Sequence, residues 1–198
     1  MYHGWTKIID SEGHFIDIQM PRPLKESAYT MILQAWNDGK QWIGDFCFRT
    51  QTLREQGGFH PFPMAWGSDR ITAIKCAAVA GIANTQVPVF QYRVHRSRLT
   101  ESNNTVLKID TRQQITKWYE EFLSKKADND VDELMRVQAK MTLHSFQKGN
   151  TLRDIVNDMQ SNGFFKRFLF WWKRRGQYGL SNRDMIKAGL FYLKNKFI

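Results

Sequence analysis

Residues 48–70 read FRTQTLREQGGFHPFPMAWGSDR and combine a pair of glycines, a loop with two prolines and an acidic residue. Gly57 and Gly58 follow a short helix-like run, and paired glycines at such a place are typical of a helix end. From Asp69 onward the apolar residues recur at helical spacing, which predicts a second helix that ends at Gly81. The stretch therefore predicts a helix, a rigid loop and another helix.

Runs of β-prone residues lie on both sides of this stretch. Residues 4–19 contain two such runs around the turn-forming DSEG, which predicts a β-hairpin. A helix is expected from Ser27, and WIGDFCFR at 42–49 and VPVFQYRVH at 87–95 predict two further strands. Strands that alternate with helices predict an α/β domain with a mixed sheet.

Beyond residue 110 the sequence predicts helices only. Each predicted start has a capping residue three positions before a side chain that can reach back to it. These capping residues are Thr111, Asp130, Thr151 and Ser181. TESNNT at 100–105 has the composition of a linker. We therefore predict an α/β domain over 1–105 and an all-helical C-terminal extension over 106–198.

The composition excludes some classes of protein. With 42% hydrophobic and 24% charged residues the chain is typical of globular proteins, and no run approaches the roughly 20 apolar residues that cross a bilayer. The N-terminal residues lack the pattern of a secretory signal, which favours a cytoplasmic location. Cys47 and Cys76 each lie in an apolar segment and are predicted to be buried free thiols.

The net charge of +10 is concentrated at the C-terminus, where Lys and Arg outnumber Asp and Glu by 9 to 1 over residues 164–198. The segment FFKRFLFWWKRRGQYG at 164–179 interleaves aromatic and basic residues. Its helical spacing brings together Phe164, Phe168, Trp171, Trp172 and Arg175. Two interpretations stay open: an amphipathic helix on an anionic membrane, or a helix whose aromatic side chains enter the core. The helical spacing argues against nucleic acid as a partner.

An ordered series of motifs spans residues 43–100. It consists of FR and a leucine, GGF, an acidic residue at a helix start, a helix ending in glycine, and a strand ending in YRVH. The matching residues are Phe48, Arg49, Leu53, Gly57, Gly58, Phe59, Asp69, Gly81, Pro88, Tyr92, Arg93, His95, Ser97 and Thr100. This series resembles the acceptor-binding half of the inverting family 2 glycosyltransferases, which have the A-type nucleotide-sugar transferase fold. Residues 1–42 match more loosely.

The resemblance implies a partial A-type nucleotide-sugar transferase domain followed by the helical extension. It implies inverting transfer of a sugar from a nucleotide-sugar donor to a saccharide or lipid-linked acceptor, in the synthesis of cell-surface polysaccharide or other glycans, at the cytoplasmic membrane face. Asp69 would be the general base. The acceptor would contact Gly57, Gly58, Phe59, Trp66 and Ser68. Arg93, Arg96 and Arg98 would bind the donor diphosphate, and His95 a divalent metal ion, Mg²⁺ or Mn²⁺.

The same residues have simpler interpretations. The glycine pair can be only a helix stop, and Asp69 can be an ordinary N-cap. His95 can be a surface histidine at a strand end, and Trp66 can be a core residue. These alternatives remain open on the sequence alone.

The chain departs from the family pattern in two ways. Ser68 stands where the family has a further acidic residue, and no segment matches the donor-binding half with its Asp-x-Asp metal motif. The Asp-x-Asp within DNDVD at 128–132 lies downstream of GGF and is interpreted as a helix cap. We therefore expect an acceptor half that by itself binds UDP-sugar weakly or not at all. A non-catalytic remnant and a basic module that binds membrane or nucleic acid are the alternatives.

Overall fold

The computed structural model describes residues 1–37, 40–94 and 104–196. The chain divides into two compact units, one of Met1–Glu101 with Leu123–Lys140 and the other of Ser102–Phe122 with Met141–Ile198. Residues 123–140 thus belong to the unit that contains the sheet.

The first unit is built on a five-stranded sheet in the order β2-β1-β5-β3, with β4 paired to β1. The strands are β1 (Tyr2–Ile9), β2 (Phe15–Ile18), β3 (Lys25–Glu26), β4 (Phe46–Cys47) and β5 (Ile82–Arg93). β1 pairs in parallel with β5 and antiparallel with β2 and β4. The sheet is therefore mixed, and the predicted α/β class is confirmed.

The predicted hairpin is confirmed in β1 and β2. Its turn is fixed by Asp10, whose Oδ1 accepts the backbone N–H groups of Glu12 and His14, both at 2.8 Å. An aspartate that accepts two amides of its own turn leaves the chain few alternative conformations. This side chain sets the register of the hairpin.

The strand predicted over 42–49 is wrong for most of its length. Residues 43–45 form a 3₁₀ turn, and only Phe46 and Cys47 pair as β4. The buried Asp45 causes the turn because its Oδ2 accepts the backbone N–H of Trp42 at 3.2 Å and the amide of Gln19 at 2.8 Å. A carboxylate bonded to an amide three residues earlier is incompatible with an extended chain at this point.

Three helices complete the part of the first unit that precedes β5. They are α1 (Ala28–Asn37), α2 (Thr50–Glu55) and α3 (Ser68–Ala80). All three follow the predicted spacing, and α1 and α3 contribute fully buried side chains to the core. These are Met31, Ile32, Ile71 and Ile74.

Only one of the two cysteines is buried. Both thiols are free, and burial raises the pKa of Cys76 in α3. Cys47 is exposed on β4, so the prediction that both thiols are buried is wrong for this residue. In the described residues β4 pairs with Tyr2 and His3 at the start of β1, and its second side chain lies in solvent.

After the sheet, the described residues form the helices α4 (Thr105–Phe122), α5 (Asp130–Asn162), α6 (Phe164–Arg174) and α7 (Asn182–Lys196). The predicted starts of α5 and α7 are confirmed, with Ser181 as the cap of α7 and with Asn129 rather than Asp130 as the cap of α5. Those at Thr111 and Thr151 are wrong, since both residues lie inside longer helices. Their hydroxyl groups donate to the backbone carbonyl four residues earlier, at 2.8 and 3.0 Å. A threonine inside a helix can satisfy its hydroxyl in this way, and the sequence pattern then imitates a cap.

The core of the second unit is organised around Trp171, which is fully buried. Its indole N–H donates to Asp158 Oδ2 at 2.6 Å, and the same carboxylate binds the guanidinium of Arg167. Phe164 and Phe168 pack against this core. For these aromatic side chains the core interpretation of the tail holds. Among the residues that the structure describes, no helix is both long and apolar enough to cross a membrane.

The contribution of the Asp184 carboxylate, at the start of α7, to the stability of the fold can be tested by changing the pH. Burial raises the pKa of Asp184, but hydrogen bonds from Lys148 and Ser181 outweigh it and lower the pKa to about 2. Since this lies below the ordinary value of about 3.9 for an unfolded chain, the carboxylate stabilises the fold above about pH 4 and loses this effect as the pH falls towards 2.

We expect Asp184→Asn to lower the free energy of unfolding at neutral pH, measured by urea denaturation followed by circular dichroism. The difference from wild type should shrink between about pH 4 and about pH 2. Asp130→Asn is the control, because Asp130 is an exposed carboxylate in the first turn of α5. A pH-independent difference for Asp184→Asn would show that its charge does not stabilise the fold.

Candidate functional site

The glycine pair ends α2 in a Schellman motif. The N–H of Gly58 donates to the carbonyl of Leu53 at 2.8 Å, and that of Gly57 donates to the carbonyl of Arg54 at 3.0 Å. Both glycines have positive φ, of 82° and 72° respectively, which side chains with a Cβ adopt at a cost. The backbone hydrogen bonds and φ angles of the glycine pair therefore confirm that it ends the helix. A Cβ on Gly58 would meet no atom within 4 Å, so this position faces open space.

Two hydroxyl groups on α3 hold the loop that follows the glycine pair. Ser68 Oγ accepts the backbone N–H of Phe62 at 3.2 Å, and Thr72 Oγ1 accepts that of His60 at 3.0 Å. Residues 68 and 72 are four apart and share one face of the helix. The loop of residues 59–67, which we call the glycine-pair loop, is thus fixed to the first two turns of α3.

Lys75 extends the same face of α3 towards the glycine pair. Its ammonium group donates to the backbone carbonyl of Gln56 and lies 3.9 Å from the place of a Cβ on Gly57. Burial, with a smaller contribution from the charge of Lys75, lowers the pKa of His60. Thr72, Lys75 and His60 were not predicted as residues of this site. Polar residues at positions 68, 72 and 75 of a mostly apolar helix were the available signal.

The loop contains two strained residues. Met64 and Ala65 have φ of 54° and 56°, which is the left-handed region. Left-handed backbone costs a residue with a Cβ roughly 1–2 kcal/mol. Strain of this kind persists where the surrounding structure imposes it, and it is concentrated at functional sites. Gly67, with φ of 75°, then provides the N-cap of α3.

Asp69 lies in the first turn of α3 and is partly exposed. Its Oδ1 accepts the N–H of the next residue, Arg70, at 2.7 Å. Its second oxygen has no hydrogen-bond partner among residues 1–37, 40–94 and 104–196. The cap of the helix is Gly67, so the ordinary N-cap interpretation of Asp69 is wrong. One carboxylate oxygen is left to bind an external group.

The remaining residues of the predicted acceptor site divide into two sets. Gly57 and Phe59 are exposed. The rings of Phe59 and Phe48 pack edge to face, with their centroids 6.0 Å apart. Trp66 and Ser68 are buried. The indole N–H of Trp66 has no partner within the described part of the chain, which is costly for a buried donor. The structure thus places the glycine pair and Phe59 at the surface and the other two residues beneath the loop.

The predicted donor site is described in part. Arg93, at the end of β5, donates from Nη1 to the backbone carbonyls of Asp10 at 3.1 Å and Ser11 at 2.8 Å, so this nitrogen is engaged by the hairpin turn. His95, Arg96 and Arg98 lie outside the described residues. Within the described ranges, no group of three or more His, Cys, Asp or Glu side chains could hold a metal ion.

The Asp-x-Asp of residues 128–132 lies at the start of α5. Asn129 and Asp132 exchange hydrogen bonds there, at 2.9 and 3.0 Å, as a helix cap does. Asp128 and Asp132 also line a cavity of about 630 Å³ at the C-terminal end of α3. This cavity adjoins the first residues of β1 and β5, whereas Asp69 lies at the opposite end of the helix.

Comparison of the chain with family models, with curated proteins and with solved structures finds no match.

Because Ala65 is strained and Ala78 lies in a regular helix, replacement of each alanine by glycine should change the stability in opposite directions. Ala65→Gly should stabilise the protein by up to about 1 kcal/mol, because glycine adopts positive φ without a Cβ clash. Ala78→Gly, within α3, should destabilise it by about 1 kcal/mol through loss of helix propensity. Thermal melts of both variants measure this. Destabilisation by both would show that position 65 is not strained.

Proposed function

We propose that the first unit carries the acceptor-binding part of an inverting nucleotide-sugar transferase, with Asp69 as general base. The observation that carries this proposal is the free carboxylate oxygen of Asp69 on the helix that also fixes the glycine-pair loop. A base and an open backbone surface held by one helix are what the activation of a bound hydroxyl requires.

The electrostatic setting of Asp69 suits this role. The N-terminus of a helix favours a negative charge, and a carboxylate in this place can accept a proton from a bound hydroxyl. In the proposed step, Asp69 removes the proton of an acceptor hydroxyl as that oxygen bonds to the anomeric carbon. The bond from this carbon to the donor phosphate breaks, and the nucleoside diphosphate leaves with the bonding electrons. Attack from the face opposite the leaving group inverts the anomeric centre.

The sheet gives a second argument. β1 and β5 are parallel, and α3 enters β5 through Gly81 alone. A helix that returns directly into a strand runs against it, so we expect Asp69 to lie towards the carboxyl ends of the parallel strands. In open α/β sheets ligands bind at that edge. The cavity of about 630 Å³ adjoins the amino ends instead, and the proposal does not use it.

The placement of the loop residues defines which of them would contact an acceptor. Gly57, Gly58 and Phe59 offer an open backbone surface next to an exposed ring, which suits a saccharide. Trp66 and Ser68 would support this surface from below. The described residues offer no metal site, so no step proposed here uses Mg²⁺ or Mn²⁺.

In a complete protein that also supplies the donor-binding half, we expect Asp69→Asn to lower the rate of sugar transfer by roughly 10²- to 10⁴-fold, because removal of a general base typically has this effect. The measurement is transfer from radiolabelled nucleotide sugars to saccharide and lipid-linked acceptors, with the donor in large excess. Asp130→Asn, the control, removes a carboxylate from the first turn of another helix and should leave the rate unchanged. Equal rates for the two variants would remove Asp69 from the mechanism.

Binding of the donor is expected to be weak. Arg93 is engaged by the hairpin turn, and no segment of the sequence matches the donor-binding half of the family that the chain resembles. Calorimetric titration of the chain with UDP-sugars in the presence of Mn²⁺ should give a dissociation constant above the micromolar range. Micromolar binding would contradict this expectation and direct attention to residues 95–98.

A further inference from the structure

α6 and α7 form an antiparallel pair in the second unit. The rings of Phe164 and Tyr192 stack with centroids 4.5 Å apart, and the ring of Phe168 lies 3.2 Å from the place of a Cβ on Gly189. Residues later in α6 thus contact residues earlier in α7. The aromatic residues of α6 are used largely in this contact and in the core around Trp171.

Each helix of the pair also carries large apolar side chains that point into solvent. Their exposed fractions range from 42% for Leu193 to 87% for Phe165. The set comprises Phe165 and Leu169 on α6 and Ile186, Leu190, Phe191 and Leu193 on α7. Spacings of four and three residues place all of them except Phe191 in one stripe on each helix, and Phe191 lies roughly 130° further round α7. Exposed apolar residues are ordinary when scattered, but two aligned stripes are typical of a binding surface.

The two stripes face the same side of the pair. In both helices the stripe residues come one position after the residues that contact the other helix, which is a rotation of about 100° about the helix axis. Two antiparallel helices are related by a two-fold axis normal to the plane that contains them. This operation keeps each side of the plane unchanged, so the same rotation brings both stripes to the same side. The stripes therefore form one surface, which we call the apolar face, with residues 165, 169, 186, 190 and 193.

Basic residues border the apolar face. They are Lys166 and Lys173 on α6 and Arg183, Lys187 and Lys194 on α7, and all are exposed. On each helix the basic residues lie roughly 60–80° further round the helix axis than the apolar stripe, on the side away from the other helix. The single acidic residue of 164–198, Asp184, is buried and bonded to Ser181 and Lys148. No exposed negative charge offsets the basic border within the described part of this segment.

We propose that the apolar face docks on an anionic lipid bilayer. Apolar side chains would enter the boundary between headgroups and acyl chains while the bordering Lys and Arg contact acidic headgroups. The charge pattern favours a bilayer over a second copy of the chain, since a symmetric contact between two such faces would bring like charges together. The residues that insert differ from those expected from the sequence, because Trp171 and Phe168 are packed inside.

This inference does not depend on the proposed function, and it is tested with the whole chain. Removal of residues 164–198 would be uninformative, since it would also remove Trp171 from the core. Point variants avoid this problem. Leu190→Glu alters the apolar face, and Leu134→Glu introduces the same charge at a leucine of similar exposure on α5 as the matched control.

The assay is co-sedimentation with vesicles made of roughly equal parts phosphatidylglycerol and phosphatidylcholine. Wild type should bind these vesicles and not those of phosphatidylcholine alone. Leu190→Glu should weaken partitioning at least about fivefold, and Leu134→Glu should leave it unchanged. Reversal of Lys187 and Lys194 to Glu should weaken it by roughly 25-fold or more, at about fivefold for each charge.

Equal partitioning of Leu190→Glu and Leu134→Glu would overturn the proposal. Light scattering on the eluted protein from size-exclusion chromatography distinguishes the competing occupant. Monomeric wild type at all concentrations supports the bilayer. A concentration-dependent dimer that Leu190→Glu abolishes would show that a second copy covers the apolar face.

Discussion

The parallel pairing of β1 with β5 is the constraint on which the first unit depends. Two parallel strands cannot be joined by a tight turn, so the chain between them must make a long crossover that returns to the starting edge. That crossover contains β2, β3, β4 and the helices α1 to α3. The glycine-pair loop and Asp69 belong to its last part, where the loop is fixed to α3 before the chain enters β5 through Gly81. The candidate site is therefore a consequence of how the crossover closes.

The parts of the fold that could be predicted are those that local chemistry decides. The hairpin follows from a turn that Asp10 stabilises by itself, and α3 follows from regular apolar spacing that ends at Gly81. The failures have local and long-range causes. The turn at Asp45 is made by a bond to the backbone of Trp42, and a bond to the distant Gln19 holds the same carboxylate. Asp154, three residues after the wrongly predicted cap Thr151, pairs with Lys108 and Arg112 of α4.

The candidate site also has one part that could be predicted from the sequence and another that could not. The position of Asp69 at a helix start and the end of α2 at the glycine pair could be predicted from residue type, although the catalytic role of Asp69 stays a prediction. The attachment of the loop through Thr72 and Lys75 could not, because a polar residue on a helix face does not identify its partner. The burial of Trp66 likewise depends on a left-handed turn at Met64 and Ala65, a conformation that their residue types disfavour.

The carboxylate of Asp158 helps to fix how α6 is rotated about its own axis. Because it holds the indole of Trp171 and the guanidinium of Arg167 together inside the second unit, one side of a helix rich in aromatic residues is committed to the interior. The opposite side, with Phe165, is thereby presented to solvent. The basic residues of α6 favour the same rotation, because Lys166 and Lys173 lie on the exposed side of the helix. The buried carboxylate thus adds a specific hydrogen-bonded constraint to an orientation that the amphipathic pattern of α6 also favours.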